Sequence, residues 1–228
     1  MNRQENKTDI EKIEKLDFPL KIRKLAELAE NIDRNYAVHG SGTYYRYGFN
    51  PPAEIEEVRA FEREYEVKLP EMFFRYLTEV GNGGAGVDYG IYTLDEIRKA
   101  NEHLLTKTSG KVIFEYEDIF GKWKELALYA SYYRKYYHDE NNIEYKKIIS
   151  EMLKGLLVIG TNGCTYVHVV ICEGKYTGMT GMIDMNLEEH SVPFFYGVDF
   201  ENWICSHFRN IALGNVTRHR DNFWTVNK

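Results

Sequence analysis

Cys164, His168 and Cys172 recur at a constant spacing of four, and Cys205 and His207 lie two apart. These residue types could ligate a metal or pair a thiol nucleophile with a base. On a strand, positions four apart share a face, but Cys164 and Cys172 would then lie about 26 Å apart at ~3.3 Å per residue. A zinc ion with bonds of ~2.3 Å cannot span that distance. On a helix, Cys205 and His207 point in different directions. Ordinary packing accounts for all five, and no metal is expected. A thiol nucleophile also needs a histidine and an orienting carboxylate or amide, and none of the seven histidines stands in such a motif.

The run Gly81, Asn82, Gly83, Gly84, Ala85, Gly86 invites a phosphate-loop reading. Such a loop follows a strand and opens a helix, so that free N–H groups converge on the anion. Here an amphipathic helix precedes, a short strand at residues 90–94 is expected to follow, and no Gly-Lys-Ser/Thr occurs. The glycines are expected to supply positive φ at a helix C-terminus, with Gly83 or Gly84 as the left-handed residue. No cofactor is expected. Acidic pairs and clusters, Glu56 with Glu57 and Glu115 with Glu117 and Asp118, read as solvated faces.

The elements that would position these residues are legible from periodicity. The start signal Asp17, Phe18, Pro19 precedes a helical stripe of Ile22, Leu25, Leu28, Ala29 and Ile32. A glycine-containing linker follows, at residues 35–52, and its Tyr44, Tyr45, Tyr47 and Phe49 imply that it packs. A helix opened by Pro52 carries Ile55, Val58, Phe61 and Tyr65. After the Leu69-Pro70 break, a second helix carries Phe73, Phe74, Leu77 and Val80. Asp95 is placed to cap a helix through Ala100. Residues 103–154 read as a long, mostly helical, tyrosine-rich stretch with a stripe of Trp123, Leu126, Ala130, Tyr133 and Tyr137. Strands are expected at residues 156–159, 165–172 and 179–185, the first two joined by a turn at Asn162-Gly163. A closing helix at residues 199–213 uses Phe200, Trp203, Ile204, Phe208 and Ile211. Helices before and after a block of strands favour α+β over alternating βαβ units. Phe61, Leu69, Phe74, Leu77, Leu157, Ile159 and Trp203 are expected to share one core.

The 228 residues are 43% hydrophobic and 28% charged, which excludes a largely disordered chain. The formal charge of −6 disfavours direct nucleic-acid binding. Arg209, Arg218, Arg220 and Lys228 near the C-terminus are too sparse to reverse that. The first residues carry no apolar stretch with a small-residue cleavage site, and no run approaches the ~20 residues that span a bilayer. Three cysteines do not make a disulfide framework. A cytoplasmic protein with reduced thiols and no membrane contact is expected.

The distinctive residue is tyrosine, present 18 times. Around residue 130 its aromatic face is broader than one buried stripe needs. Tyr129, Tyr132 and Tyr136 lie beside the stripe, either covering the sheet edge or forming a recognition surface, where tyrosine gives large contact area at small entropic cost. Glu115, Glu117 and Asp118 would add local negative charge. These six are the candidate interface residues.

One stretch resembles a known family. Ile55, Val58, Phe61, Glu62, Tyr65 and Val67, then Leu69-Pro70-Glu71, Phe74, Tyr76 and Leu77, then Asn82-Gly83-Gly84 and Tyr92, Leu94, Asp95, Glu96, Ile97 resemble the first half of SUKH-superfamily domains, relatives of a fungal cell-wall-assembly regulator. Leu157, Ile159, Gly160, Asn162, Gly163 and Cys164, with Gly181 and Ile183, are similar to its hairpin region, and Phe200, Trp203 and Phe208 to its closing helix. The likeness runs over residues 50–213. It departs at the N-terminal helices, at an insertion near residues 114–150, and at Met182, where many members carry an aromatic residue.

The resemblance implies a single α+β domain with a mixed or antiparallel sheet packed by helices and no catalytic constellation. Residues 1–49 would form a helical extension and linker, residues 50–213 the domain with its insertion at about 103–154, and residues 214–228 a tail. Bacterial members are mostly immunity proteins that bind and neutralise a cognate toxin, often a nuclease, and fungal ones are regulatory scaffolds. The leading expectation is therefore a non-catalytic immunity protein with a basic protein toxin as partner, since complementary charge accelerates encounter. A regulatory scaffold is the rival within the class. A small hydrolase or nucleotide-binding enzyme using the 81–86 loop or a Cys–His pair is the rival outside it.

Overall fold

The computed structural model describes residues 3–105, 119–137, 142–186, 193–218 and 224–226. Its helices are α1 (Arg3–Ile13), α2 (Phe18–Ile32), α3 (Ile55–Glu64), α4 (Glu71–Arg75), α5 (Leu94–Ala100), α6 (Ile119–Tyr137), α7 (Ile143–Met152) and α8 (Phe200–Ala212). A π-helical turn, Tyr76–Val80, continues α4, and a 3-10 turn, Glu102–Leu105, follows α5. The strands are β1 (Leu156–Gly163), β2 (Tyr166–Ile171), β3 (Met179–Asp184), β4 (Phe194–Asp199), β5 (Val216–Arg218) and β6 (Trp224–Val226). β1 to β4 form one antiparallel sheet in chain order, and β5 pairs with β6 separately. The fold is α+β. No described helix is long and apolar enough to cross a membrane.

Packing divides the described residues into two compact units. The first draws on Met1–Val58, Glu71–Leu94 and Asp199–Lys228. Its centre is α2 against α8. Ile22, Leu25, Ala26 and Ala29 from α2 and Phe200, Ile204, Phe208 and Ile211 from α8 are buried, each set at the three-to-four spacing of one helical face. Asp199 caps α8 by accepting the Asn202 N–H at 2.8 Å. Phe73 and Tyr76 join this core through Phe200, with ring centroids 5.0 and 5.4 Å away and edge-on geometry. α1 is tied down by the buried Asn6 amide, which donates to the Ala212 carbonyl at 2.9 Å.

The second unit draws on Arg59–Pro70 and Asp95–Val198. Residues 156–159 are buried without interruption, so this half of β1 is covered on both faces. β1 pairs with β2 with a register shift between Val158 and Gly160. The outer edge of β1 is closed by a side chain. Asn101, fully buried at the end of α5, accepts the Val158 N–H and donates to the Val158 carbonyl, both at 2.8 Å. The amide thereby replaces a neighbouring strand at that residue. α6 packs on α7, and Lys122 pairs with Glu151 at 2.8 Å.

Several sequence expectations shift. Phe61, Leu69, Leu157 and Ile159 are buried in the second unit and Leu77 and Trp203 in the first. Phe74 is only half-buried, because α4 turns Phe73 inward in its place. The helix after Pro52 begins at Ile55, which is exposed and lies off the buried stripe. Residues 90–94 make no strand; Ile91 forms a single bridge to Gly84, and Leu94 already starts α5. β4 to β6 were not expected. β4 is exposed for most of its length, so it lacks the buried alternation that marks a strand in sequence.

Candidate functional site

The tyrosine face sits on α6. Trp123, Leu126, Ala127 and Ala130 turn inward and are buried. On the opposite side Leu128 is exposed, and Tyr129 and Tyr132 are each 51% exposed. The spacing of three between Tyr129 and Tyr132 makes them neighbours on the helix surface. The Tyr132 ring meets Tyr133 edge-on at 5.9 Å. Tyr133 is half-buried between the two faces. Tyr136 lies four residues beyond Tyr132 along α6. Its side chain lies outside the described residues, as do Glu115, Glu117 and Asp118.

The 81–86 loop has the conformation expected of a helix terminus. Gly83 and Gly84 take φ of 79° and 126°. The N–H groups from Gly81 to Ala85 all donate to backbone carbonyls, those of Tyr76, Pro51, Gly81, Ile91 and Gly48 in turn. No donor in that run is left to converge on an anion. The Asn82 side chain accepts the Leu94 N–H at 2.7 Å and so serves the start of α5, the role expected of Asp95. A Cβ on Gly84 would stand 2.8 Å from the Phe49 Cα and 2.9 Å from the Gly48 oxygen, both backbone atoms. Gly84→Ala is therefore expected to lower the unfolding free energy by at least ~2 kcal/mol, combining clash with positive φ, as read from a urea melt.

Two arrangements resemble catalytic parts. The Ser41 Oγ lies 2.9 Å from His207 Nε2, a contact between chain segments 166 residues apart that spacing alone does not reveal. The same hydroxyl donates to the Gly86 carbonyl at 2.6 Å, and Ser41 is fully buried. A serine nucleophile must give its proton to the histidine. Here the proton is directed at a carbonyl, and the pair works as a clasp between the 37–48 segment, the glycine loop and α8. Burial pushes the Cys205 thiol up to about 12 and raises that of Cys172 as well, the opposite of thiolate activation. Cys164 is exposed, and the three cysteines are free thiols. His168 is buried and shares a 3.1 Å contact with the Tyr196 hydroxyl. Among the described residues no group of three His, Cys, Asp or Glu side chains is placed to hold a metal ion.

A cavity of about 350 Å³ in the second unit is lined by Tyr65, Tyr145, Ile149 and His103, with the exposed Glu102 and Lys146. The His103 Nε2 is buried and makes no hydrogen bond. Burial pushes this imidazole from its ordinary 6.5 down to about 4. The fold therefore holds it neutral while the unfolded chain protonates it below pH 6.5. Its contribution is intact above that pH and is lost as the pH falls through 6.5 towards 4. Wild type should lose about 2–3 kcal/mol more than His103→Gln between pH 7 and pH 4, measured by denaturant unfolding. Equal losses would show that His103 titrates normally.

Compared with known proteins, the chain matches no family model, no curated protein and no solved structure.

Proposed function

We propose that this chain is a non-catalytic protein-binding domain that neutralises a cognate bacterial toxin by direct binding. The observation that carries the reading is the outward face of α6, where Leu128, Tyr129 and Tyr132 stand half exposed over a fully buried inner stripe. Large rigid aromatic side chains of this kind supply the anchors of protein interfaces, where a few residues carry most of the affinity. The net charge of −6 fits a basic partner. The SUKH resemblance of residues 50–213 supplies the toxin, and the chemistry of the tyrosines supplies the means of holding it.

The test asks first whether a gene beside this one encodes a large secreted toxin, whose absence would count against the reading, and then co-expresses the chain with that toxin. The chain should restore growth and co-purify with the toxin. Tyr129→Ala with Tyr132→Ala, in a chain that stays folded, should weaken the complex by more than ~2 kcal/mol, about thirtyfold in Kd. Unchanged affinity would move the interface off α6. Failure to bind or rescue at all would remove the immunity reading.

A further inference from the structure

We propose that His39, Tyr44 and Tyr89 form a second recognition patch, one that takes a cationic side chain, arginine in first place, from a protein partner. It rests on the protein-binding reading only in taking that partner to be basic. The patch belongs to the first unit and the α6 face to the second.

The three rings form one cluster. Tyr44 and Tyr89 are stacked at 5.7 Å with planes 19° apart, and His39 meets them edge-on at 5.3 and 4.4 Å. The tyrosines nevertheless stay open, Tyr44 at 59% and Tyr89 at 37% exposure. The backbone beneath is locked. A Cβ on Gly40 would fall 1.4 Å from the Asp88 oxygen, so the turn bearing His39 and Tyr44 interlocks main chain to main chain with the turn bearing Tyr89. Six non-glycine residues are described with positive φ, and four of them, Tyr36, Arg46, Tyr47 and Asp88, belong to these two turns. Such conformations persist only where their surroundings over-determine them, and they concentrate at binding sites. The Asp33 carboxylate helps to hold them, accepting the Ala37 and Val38 N–H groups and the Tyr47 hydroxyl at 2.7–2.9 Å.

The ring faces select the ligand. Aromatic faces are electron-rich and attract guanidinium and ammonium groups. The chain uses this pairing internally, with Arg23 over Phe49, Arg46 over Tyr36 and Arg98 over Phe61 at 5.5–5.9 Å. Among the described residues no cation is stacked on Tyr44 or Tyr89. A rigid, open aromatic platform on an acidic chain is thus left for a cation from outside.

The test titrates the full chain with the blocked tripeptide Gly-Arg-Gly and with its uncharged citrulline counterpart, followed by NMR. Arginine should produce saturable shifts at His39, Tyr44 and Tyr89, and citrulline should bind at least about fivefold more weakly. Tyr44→Ala with Tyr89→Ala should abolish the response. Tyr44→Leu with Tyr89→Leu keeps the bulk and should abolish it too, should the alanine pair fail to fold. Tyr129→Ala with Tyr132→Ala should leave it intact, which separates this patch from the α6 interface. Equal binding of citrulline, absence of saturable shifts at the three rings, or an undiminished response in the leucine pair would overturn the proposal.

Discussion

Phe73→Ala is expected to lower the unfolding free energy by about 3–5 kcal/mol, and Phe74→Ala by no more than about 2, although the two residues are adjacent and identical. Phe73 is fully buried, edge-on to Phe200 at 5.0 Å and nearly parallel to Tyr76 at 6.4 Å. Removing the ring leaves a void whose walls include the Tyr76 ring on the π-helical turn and the Phe200 ring on α8, and rigid rings collapse poorly into a gap. Phe74 keeps part of its ring in solvent, so its truncation removes less buried surface and opens a smaller void. Urea titrations of both variants decide the matter. Equal costs, or a loss under 1 kcal/mol for Phe73→Ala, would show that α4 does not turn Phe73 into this core.

Asn101→Leu should cost about 3–5 kcal/mol even though it exchanges a polar side chain for an apolar one of similar size in a buried place. The reason is what it leaves behind. Val158 is itself buried, and its N–H and carbonyl both depend on the Asn101 amide. Leucine would strand a donor and an acceptor inside the protein, each costing about 1–3 kcal/mol. Asn101→Asp gives a second reading of the same contact. It can still accept from the Val158 N–H, but it buries a carboxylate against the Val158 and Ile97 carbonyls. Burial raises such a group's pKa, so the folded state binds the proton more tightly and the deficit should shrink as the pH is lowered. A leucine variant within 1 kcal/mol of wild type would mean that water or another group satisfies Val158.

The amphipathic elements were legible because one dominant signal, apolar periodicity, fixes which face a helix or strand must bury. It placed α2, α3, α8 and β1 to β3 within a few residues. It also identified the glycine loop as a helix terminus, since a helix before the glycines and no helix directly after them leaves only positive φ for Gly83 and Gly84 to supply. The candidate tyrosines were found for a related reason: more aromatic residues stand on α6 than one buried stripe can hold, and the surplus, Tyr129 and Tyr132, faces outward.

Phe73 heads the i, i+3, i+4, i+7 face completed by Tyr76, Leu77 and Val80, a signal that ranks it above Phe74, and the rings of Phe200 and Tyr76 are what it packs against once the chain is folded. Tertiary structure decided the rest. Asn101 reads as an ordinary helix-end residue until β1 arrives 57 residues later with an unpaired edge. The Ser41–His207 clasp and the His39, Tyr44, Tyr89 cluster likewise join segments that no spacing rule connects. Hydrophobic pattern is a local property of the chain. Hydrogen-bond satisfaction and ring clustering are pairwise properties of distant segments, and they exist only once the fold has brought those segments together.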